Sequence, residues 1–340
     1  MTKKFNIAIV GVTGAVGETF LTVLEERNFP VAELFPLASE RSVGKTVFFN
    51  DKPQDVQDVA TFDFTQADIA FFSAGSSVSE YYAPLAAKAG CVVIDNTSFF
   101  RYEDDIPLVV PEVNPERIAN YKNRGIIANP NCSTIQMLVA IKPLYDAVGI
   151  SRINVATYQA VSGTGKEAIS ELIAQMGELL NGRPAKSVVY PQQIAFNVIP
   201  HIDEFQDNGY TREEMKMVWE TRKILEDDTI MVNPTAVRVP VLYGHSEAIH
   251  LELKSSLTVA DARKLLTKAP GVKVVDDTSK LKYPTAIQHA SGHDDVFVGR
   301  IRQDISHPCG LNLWVVADNI RKGAATNAIQ IAEILYKSYL

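Results

Sequence analysis

Short apolar runs alternate with amphipathic stretches through the first third of the chain. The runs at 5–10, 34–38, 69–73, 91–95 and 126–128 read as strands, and helical patterns lie between several of them, at Ala15–Glu26 and 78–89. Strands alternating with helices predict a parallel sheet covered on both faces. The connection over 42–64 is longer and less regular, and no element is placed in it. Past Asn131 the pattern changes. A helix is predicted over 133–148, a strand over 154–160 and a further helix over Lys166–Leu180. The strand-like runs 235–241 and 246–254 are separated by a few residues that include Gly244, which predicts an antiparallel hairpin. The second part is therefore α+β and centred on a mixed sheet. The last segment, 324–339, carries apolar residues at helical spacing and can pack back on the first domain. No internal repeat or low-complexity linker interrupts the pattern.

At 340 residues the chain can bury a large core and is expected to form two domains. Lysine and arginine (33) against aspartate and glutamate (40) leave a net charge of -7, which argues against a nucleic acid partner. A small anion held by a few local arginines remains compatible with that balance. Met1-Thr2-Lys3-Lys4 runs straight into the first strand with no signal-peptide core, and no apolar run approaches membrane-spanning length, so no membrane is expected. Cys91, Cys132 and Cys309 are widely spaced and odd in number. They form neither a disulfide framework nor a metal-binding pair, which suits a reducing cytoplasm.

Gly11-Val12-Thr13-Gly14-Ala15-Val16-Gly17 sets three glycines between the first strand and the first helix. Gly11 permits a sharp turn. Gly14 lets the backbone approach a pyrophosphate, whose charge the free N–H groups of the helix N-terminus stabilise. The spacing is G-x-x-G-x-x-G, and its place after a strand is what makes it a nucleotide site rather than a bare connection. After the second strand, Arg41 and Ser42 can hold the 2′-phosphate of NADP, while Glu40 beside them could face the ribose instead.

Asn129-Pro130-Asn131-Cys132-Ser133 lies between an apolar strand and a helix. A cysteine at a helix N-terminus has its thiolate stabilised by the dipole and by unpaired N–H groups, and the two asparagines can donate to an oxyanion. Cys91, within an apolar run, reads as buried and inert, and Cys309 as structural. His201, His250, His289, His293 and His307 are read as structural or surface residues. Glu220 and Lys223 stand three apart on one helical face, a spacing that an exposed ion pair would also explain; Lys216 is equally explained by a solvated face.

With these motifs the chain resembles the aspartate-semialdehyde dehydrogenases, from residue 5 to 336. The nucleotide loop, Asn129-Pro130-Asn131-Cys132, Gln159 in Tyr158-Gln159-Ala160-Val161-Ser162-Gly163, the segment from Arg238 to His245, and Asp318-Asn319-Ile320-Arg321-Lys322-Gly323 carry the likeness. The resemblance implies a Rossmann-type NADP(H) domain over 1–129 plus 324–340 and a catalytic and dimerisation domain over 130–323, assembled as a homodimer. It implies that Cys132 attacks L-aspartyl 4-phosphate, phosphate leaves, and the thioester is reduced to L-aspartate 4-semialdehyde, in the biosynthesis of lysine, threonine, methionine and diaminopimelate. His245 would be the acid/base, and Asn131 and Gln159 would contact substrate. Arg238 would take the α-carboxylate, Glu220 the amino group, and Arg101 and Lys223 the phosphate. Gly11, Thr13, Gly14, Ala15, Val16, Arg41, Ser42, Ser162, Gly163 and Asn319 would line the cofactor, and no metal is called for. The rival readings are an N-acetyl-γ-glutamyl-phosphate reductase, which Glu220 opposes because an acetylated nitrogen carries no charge, and a non-catalytic NADP-binding relative.

Overall fold

In the computed structural model, which describes residues 3–340, the apolar run Phe5–Val10 forms strand β1, buried along nearly its whole length. Helix α1 (Ala15–Glu26), β2 (Val31–Ala38), β3 (Thr46–Phe49), β4 (Lys52–Asp55), β5 (Gln57–Asp58), β6 (Ile69–Phe72), α2 (Ser76–Lys88), β7 (Val92–Asp95) and β8 (Ile126–Ala128) follow. The sheet runs β5-β2-β1-β6-β7-β8 with every pair parallel. Strand order reverses between β1 and β6, the crevice where open parallel sheets bind ligands. The irregular stretch hides a small hairpin, β3 against β4. Its turn is made by Asn50 and Asp51, both at positive φ (50° and 59°), the conformation a two-residue hairpin turn requires.

Phe20 of α1 stacks on Phe71 of β6 with ring centroids 4.7 Å apart, at the centre of this unit's core. Truncating either ring to alanine would cost about 3–5 kcal/mol. The C-terminal helix Thr326–Ser338 belongs to the same compact unit and buries Ile329, Ile331 and Leu335 in that core. A two-bond fork from Arg27 to Glu333, both bonds at 2.8 Å, ties it to the end of α1.

The other compact unit, Cys132–Gly323, contains α3 (Cys132–Val148), β9 (Ile150–Gln159), α4 (Lys166–Leu180), α5 (Arg212–Leu225), β10 (Met231–Arg238) and β11 (His245–Leu253). Helix α6 (Val259–Lys268), β12 (Val272–Val274), β13 (Val296–Gln303) and β14 (Gly310–Ala317) complete it. Its sheet is mixed, in the order β10-β9-β11-β14-β13-β12.

The expected antiparallel hairpin does not form. β10 and β11 do not pair with each other; β9 lies between them, parallel to β10 and antiparallel to β11. The connection 239–244 crosses the end of β9, where Val239 N donates to Gln159 O at 3.0 Å and Val161 N donates to Val241 O at 2.9 Å. Two strand spacings are about 10 Å, a gap that a few extended residues bridge as readily as a tight turn closes one spacing.

Along β9 and β11 burial alternates: Ile153, Val155, Thr157 and Gln159 face inward, as do His245, Glu247, Ile249 and Leu251, while the residues between them are mostly only half-buried. A strand covered on one face shows this period of two. α3, α5 and α6 pack together within the unit, with α3 and α6 reaching its strands and α5 lying against β10. α3 is buried on every side from Ser133 to Ile141.

Candidate active site

The site of the second unit is a row of side chains across adjacent strand ends. Arg238 on β10 is the register partner of Gln159 on β9, and Ser246 is the partner of Tyr158, so the next rung sets His245 beside Gln159. All three lie on the inner face and are 4%, 1% and 0% exposed in the order Arg238, Gln159, His245. Cys132 is the first residue of α3, and the Gln159 amide donates to the neighbouring Ser133 hydroxyl at 3.0 Å. Gly323 is packed against the cysteine so closely that a Cβ there would lie 2.7 Å from Cys132 Cβ.

His245 is fixed by its backbone neighbour: Ala160 N–H donates to Nδ1 at 3.0 Å. A neutral imidazole accepting at Nδ1 carries its proton on Nε2. That Nε2 is buried and meets no partner among the described residues. Burial, followed by the nearby Arg238 guanidinium, pushes the His245 pKa down to about 3, against an opposing pull from Glu213. The ring is therefore neutral near pH 7, a buried donor aimed at no protein acceptor.

Arg238 Nη1 donates to Ala160 O at 2.7 Å, and its guanidinium lies 5.9 Å from the Tyr190 ring. Its Nε has no acceptor among the described residues. Gly163 sits directly over this pair; a Cβ there would come within 3.0 Å of Arg238 Nη1 and 3.3 Å of His245 Nε2. Next to it, Ser162 and Asn319 are joined side chain to side chain at 3.0 Å, and Gly244 N donates to Asn319 Oδ1 at 2.9 Å. The structure thus gathers Ser162, Gly163 and Asn319 around His245.

Helix α5 starts at a capping box in which Thr211 and Glu214 satisfy each other's backbone groups. Its buried face carries Glu213 and Glu220, two turns apart, and Glu220 is 0% exposed. Exposed pairing does not describe Glu220, and the solvated reading of Lys216 is also set aside. The Lys216 side chain is 12% exposed and bonds Asp203 at 2.7 Å and Glu213 at 3.0 Å. Burial alone would lower its pKa, but the two carboxylates outweigh this and raise it. Lys223 is half-buried on the same helix.

In the first unit, Gly11 adopts φ 91°, and a Cβ there would strike Ala74 N at 2.9 Å. Gly17 touches the same turn, since a Cβ on it would lie 2.1 Å from Gly11 O. Gly14 caps α1 with no side-chain bond, and Ala15 and Val16 open the helix, with Thr13 half-buried in the turn before it. The crowded glycine turn and uncapped helix start at the β1–β6 crevice fit a dinucleotide pyrophosphate. Arg41 and Ser42 lie on a 3-10 turn, Glu40–Ser42, just past β2, with Arg41 exposed. Arg101 is 6% exposed and donates to Asn96 O at 2.8 Å. Asn131, 7% exposed, immediately precedes Cys132. Asn129 Oδ1 accepts from Asn327 of the C-terminal helix at 2.7 Å, and its Nδ2 faces Pro130 O at 3.5 Å. Cys91 is 1% exposed, and burial pushes its thiol pKa up.

Three polar groups were not singled out from sequence. Glu213 accepts from Gln159 Nε2 at 3.1 Å. Glu247, two residues after His245 on the inner face of β11, is 0% exposed, and burial raises its pKa well above the ordinary carboxylate range, offset in part by Gln136. Gln136, also 0% exposed, lies one turn of α3 beyond Cys132. The alternating inner-face pattern was the available signal for Glu247.

The semialdehyde dehydrogenase NAD binding domain matches residues 6–121, and the semialdehyde dehydrogenase dimerisation domain matches residues 141–322. An aspartate-semialdehyde dehydrogenase from Legionella pneumophila is 76% identical over 340 residues, covering 100% of this chain and 98% of the relative. The crystal structure of aspartate semialdehyde dehydrogenase II from Vibrio cholerae, complexed with ASA, superposes with a TM-score of 0.98 at 62% identity, covering 100% of both chains. The enzyme from Candida albicans, crystallised with NADP, is more distant at 27% identity and a TM-score of 0.77, covering 98% of this chain and 99% of that one. The chain belongs to the aspartate-semialdehyde dehydrogenases, oxidoreductases that use a nicotinamide cofactor and act on an aldehyde.

Proposed function

We propose that the chain catalyses the NADPH-dependent reductive dephosphorylation of L-aspartyl 4-phosphate to L-aspartate 4-semialdehyde through a thioester on Cys132. The reaction is a step in the biosynthesis of lysine, threonine, methionine and diaminopimelate. The observation that carries this reading is the row Arg238–Gln159–His245 behind a cysteine at the first position of α3. In the proposed sequence the Cys132 sulfur bonds to the acyl carbon as the carbon–oxygen bond to phosphate breaks, releasing inorganic phosphate. Cysteine suits both halves of the reaction, since its thiolate attacks readily and leaves readily. NADPH, when bound, supplies the hydride that reduces the thioester. The oxyanion of the resulting thiohemiacetal then expels the Cys132 thiolate and becomes the aldehyde.

Written this way the cycle needs no net proton at the acyl oxygen. His245 meets that requirement from the donor side: its neutral Nε2–H hydrogen-bonds the oxygen where charge develops, as neutral imidazole does in other enzymes. Arg238 offers a planar fork to the α-carboxylate, and buried Glu220 offers a charge for the α-ammonium. Lys223, on the same helix as Glu220, is proposed to take the phosphate together with Arg101. Asn131 and Gln159 contact substrate next to Cys132.

The glycine turn with Thr13, Ala15 and Val16 would hold the cofactor pyrophosphate, and Ser162, Gly163 and Asn319 would lie at the nicotinamide. Arg41 and Ser42, beyond the end of β2, support NADP over NAD, because a guanidinium and a hydroxyl match a 2′-phosphate. The protein is a cytoplasmic homodimer in this reading. The matched dimerisation domain supports the dimer, as does the outer face of the mixed sheet, where half-exposed Trp314 and exposed Tyr158 meet at 5.6 Å. Among the described residues no helix is long and apolar enough to cross a membrane.

The test is phosphate-dependent reduction of NADP by the purified protein, with aspartate semialdehyde compared against N-acetylglutamate semialdehyde. Turnover of the first alone is expected. Turnover of the second alone would replace the substrate, and turnover of neither would leave a non-catalytic nucleotide-binding protein.

A further inference from the structure

Glu213 takes no part in the reaction set out above, yet it stands in the middle of the site's polar network. It is 5% exposed, in the first turn of α5. One carboxylate oxygen accepts from Gln159 Nε2 at 3.1 Å and the other from Lys216 Nζ at 3.0 Å, while Lys216 reaches on to Asp203 at 2.7 Å. The polarity of this relay is forced by chemistry. An ammonium only donates and an ionised carboxylate only accepts, so Lys216 keeps Glu213 an acceptor, and Glu213 can receive only the NH2 end of Gln159. Ser133 Oγ at 3.0 Å and Thr157 Oγ1 at 3.3 Å lie on that same nitrogen. Among the described residues every hydrogen bond of the Gln159 side chain runs through Nε2. Its carbonyl oxygen is the part left to meet a ligand.

We propose that Glu213, held by Lys216, is a positioning residue that fixes which end of the Gln159 amide the substrate meets, so that Gln159 offers an oxygen to the substrate's ammonium group. The proposal rests on the reading of Gln159 as a substrate contact. An amide free to turn over would present NH2 to an ammonium as often as oxygen. A carboxylate that is itself pinned by a cation removes the wrong orientation before substrate arrives.

The test inverts the relay. In Glu213→Gln, Lys216 still demands an acceptor, so the new side chain turns its oxygen to Lys216 and its NH2 to residue 159. Gln159 must then flip and show its own NH2 to the substrate. Steady-state kinetics with aspartate semialdehyde should show kcat/KM lower by roughly 10- to 100-fold, the usual effect of a hydrogen bond to a charged group, with most of the loss in KM. NADP affinity should stay within about twofold, since no cofactor-lining residue is changed. The exchanged pair Glu213→Gln with Gln159→Glu keeps one carboxylate and one amide, restores an acceptor at 159, and should recover at least tenfold over Glu213→Gln. Should Glu213→Gln alone fail to fold, the exchanged pair is compared with the wild type, and its kcat/KM should lie within about tenfold of it; a larger loss in a folded exchanged pair overturns the proposal. Wild-type kcat/KM in Glu213→Gln, or no recovery in the exchanged pair, overturns the proposal. Gln159→Ala separates the two levels: wild-type kinetics there would remove the substrate contact itself, whereas a loss there beside a silent Glu213→Gln would remove only the relay.

Discussion

Replacing His245 by asparagine should make the protein more resistant to acid relative to the wild type, and the size of the effect follows from burial. The side chain is 0% exposed, and its pKa falls from an ordinary 6.5 to about 3 in the folded chain. Between those values the unfolded chain binds a proton that the folded chain refuses. Stability is therefore undiminished above pH 6.5 and is lost as pH falls below it. Each pH unit corresponds to about 1.36 kcal/mol, so at pH 4.5 the neutral ring costs about 2.7 kcal/mol. Asparagine can still accept the Ala160 N–H through its oxygen but has no proton to refuse. The cavity left by the smaller side chain lowers stability equally at every pH. For a domain of this size the pH-dependent part corresponds to about 5–11 °C in Tm. Melts of both proteins at pH 7 and pH 4.5 should show the wild type losing that much more than the variant. Equal losses in the two would mean that His245 is solvated or protonated in the fold. The donor role assigned to its Nε2 would then lose its basis.

Arg238→Lys should lower kcat/KM for aspartate semialdehyde at least tenfold, because a point charge reproduces neither the planar fork nor the bond to Ala160 O; unchanged kinetics would place the carboxylate elsewhere. Gly163→Ala should depress kcat with little change in fold stability, since its new methyl would press on Arg238 Nη1 and His245 Nε2; a thermal melt and a kinetic assay on the same sample separate the two effects. Glu247→Gln should stabilise the chain increasingly as pH rises from 5 to 8. A carboxyl whose pKa burial has raised keeps its full contribution below the ordinary value and loses it, by up to about 1.4 kcal/mol per pH unit, as pH climbs toward the folded value. A stability difference independent of pH would show Glu247 to be ionised in the fold.

What was legible from sequence was local. The glycine turn announces itself because no other residue tolerates φ 91° with a neighbouring backbone nitrogen at 2.9 Å from its Cβ position. The parallel sheet followed from the alternation of apolar runs and amphipathic helices; the mixed second sheet was inferred from an antiparallel hairpin that does not form, and it is mixed because β9 runs parallel to β10 and antiparallel to β11. What failed depended on which chain segment lies between two others. β10 and β11 look like a hairpin because they adjoin in sequence and run in opposite directions, and nothing in either strand reveals that β9 separates them. No element is assigned from sequence over α6, β12, β13 or β14, although Val296-Phe297-Val298 and the largely apolar run 311–317 have the composition of strands. Glu213 was missed although its signal was present. Glu213, Lys216, Glu220 and Lys223 repeat glutamate and lysine at a spacing of seven, which winds all four along one stripe of α5. On an exposed helix such a stripe is ordinary charge pairing. Its meaning changes only once the stripe is seen to be largely buried beside Gln159, with Glu213 and Glu220 5% and 0% exposed.

The most direct test of the account is to look for the thioester. The protein is incubated with NADP and aspartate semialdehyde in the absence of phosphate, so that acyl transfer has no acceptor, and its peptides are mapped by mass spectrometry. NADPH should form in roughly equal amount to the protein, with an aspartyl group on Cys132 and with Cys91 and Cys309 unmodified. An adduct on another residue, or phosphate-dependent turnover retained by Cys132→Ala, would contradict it.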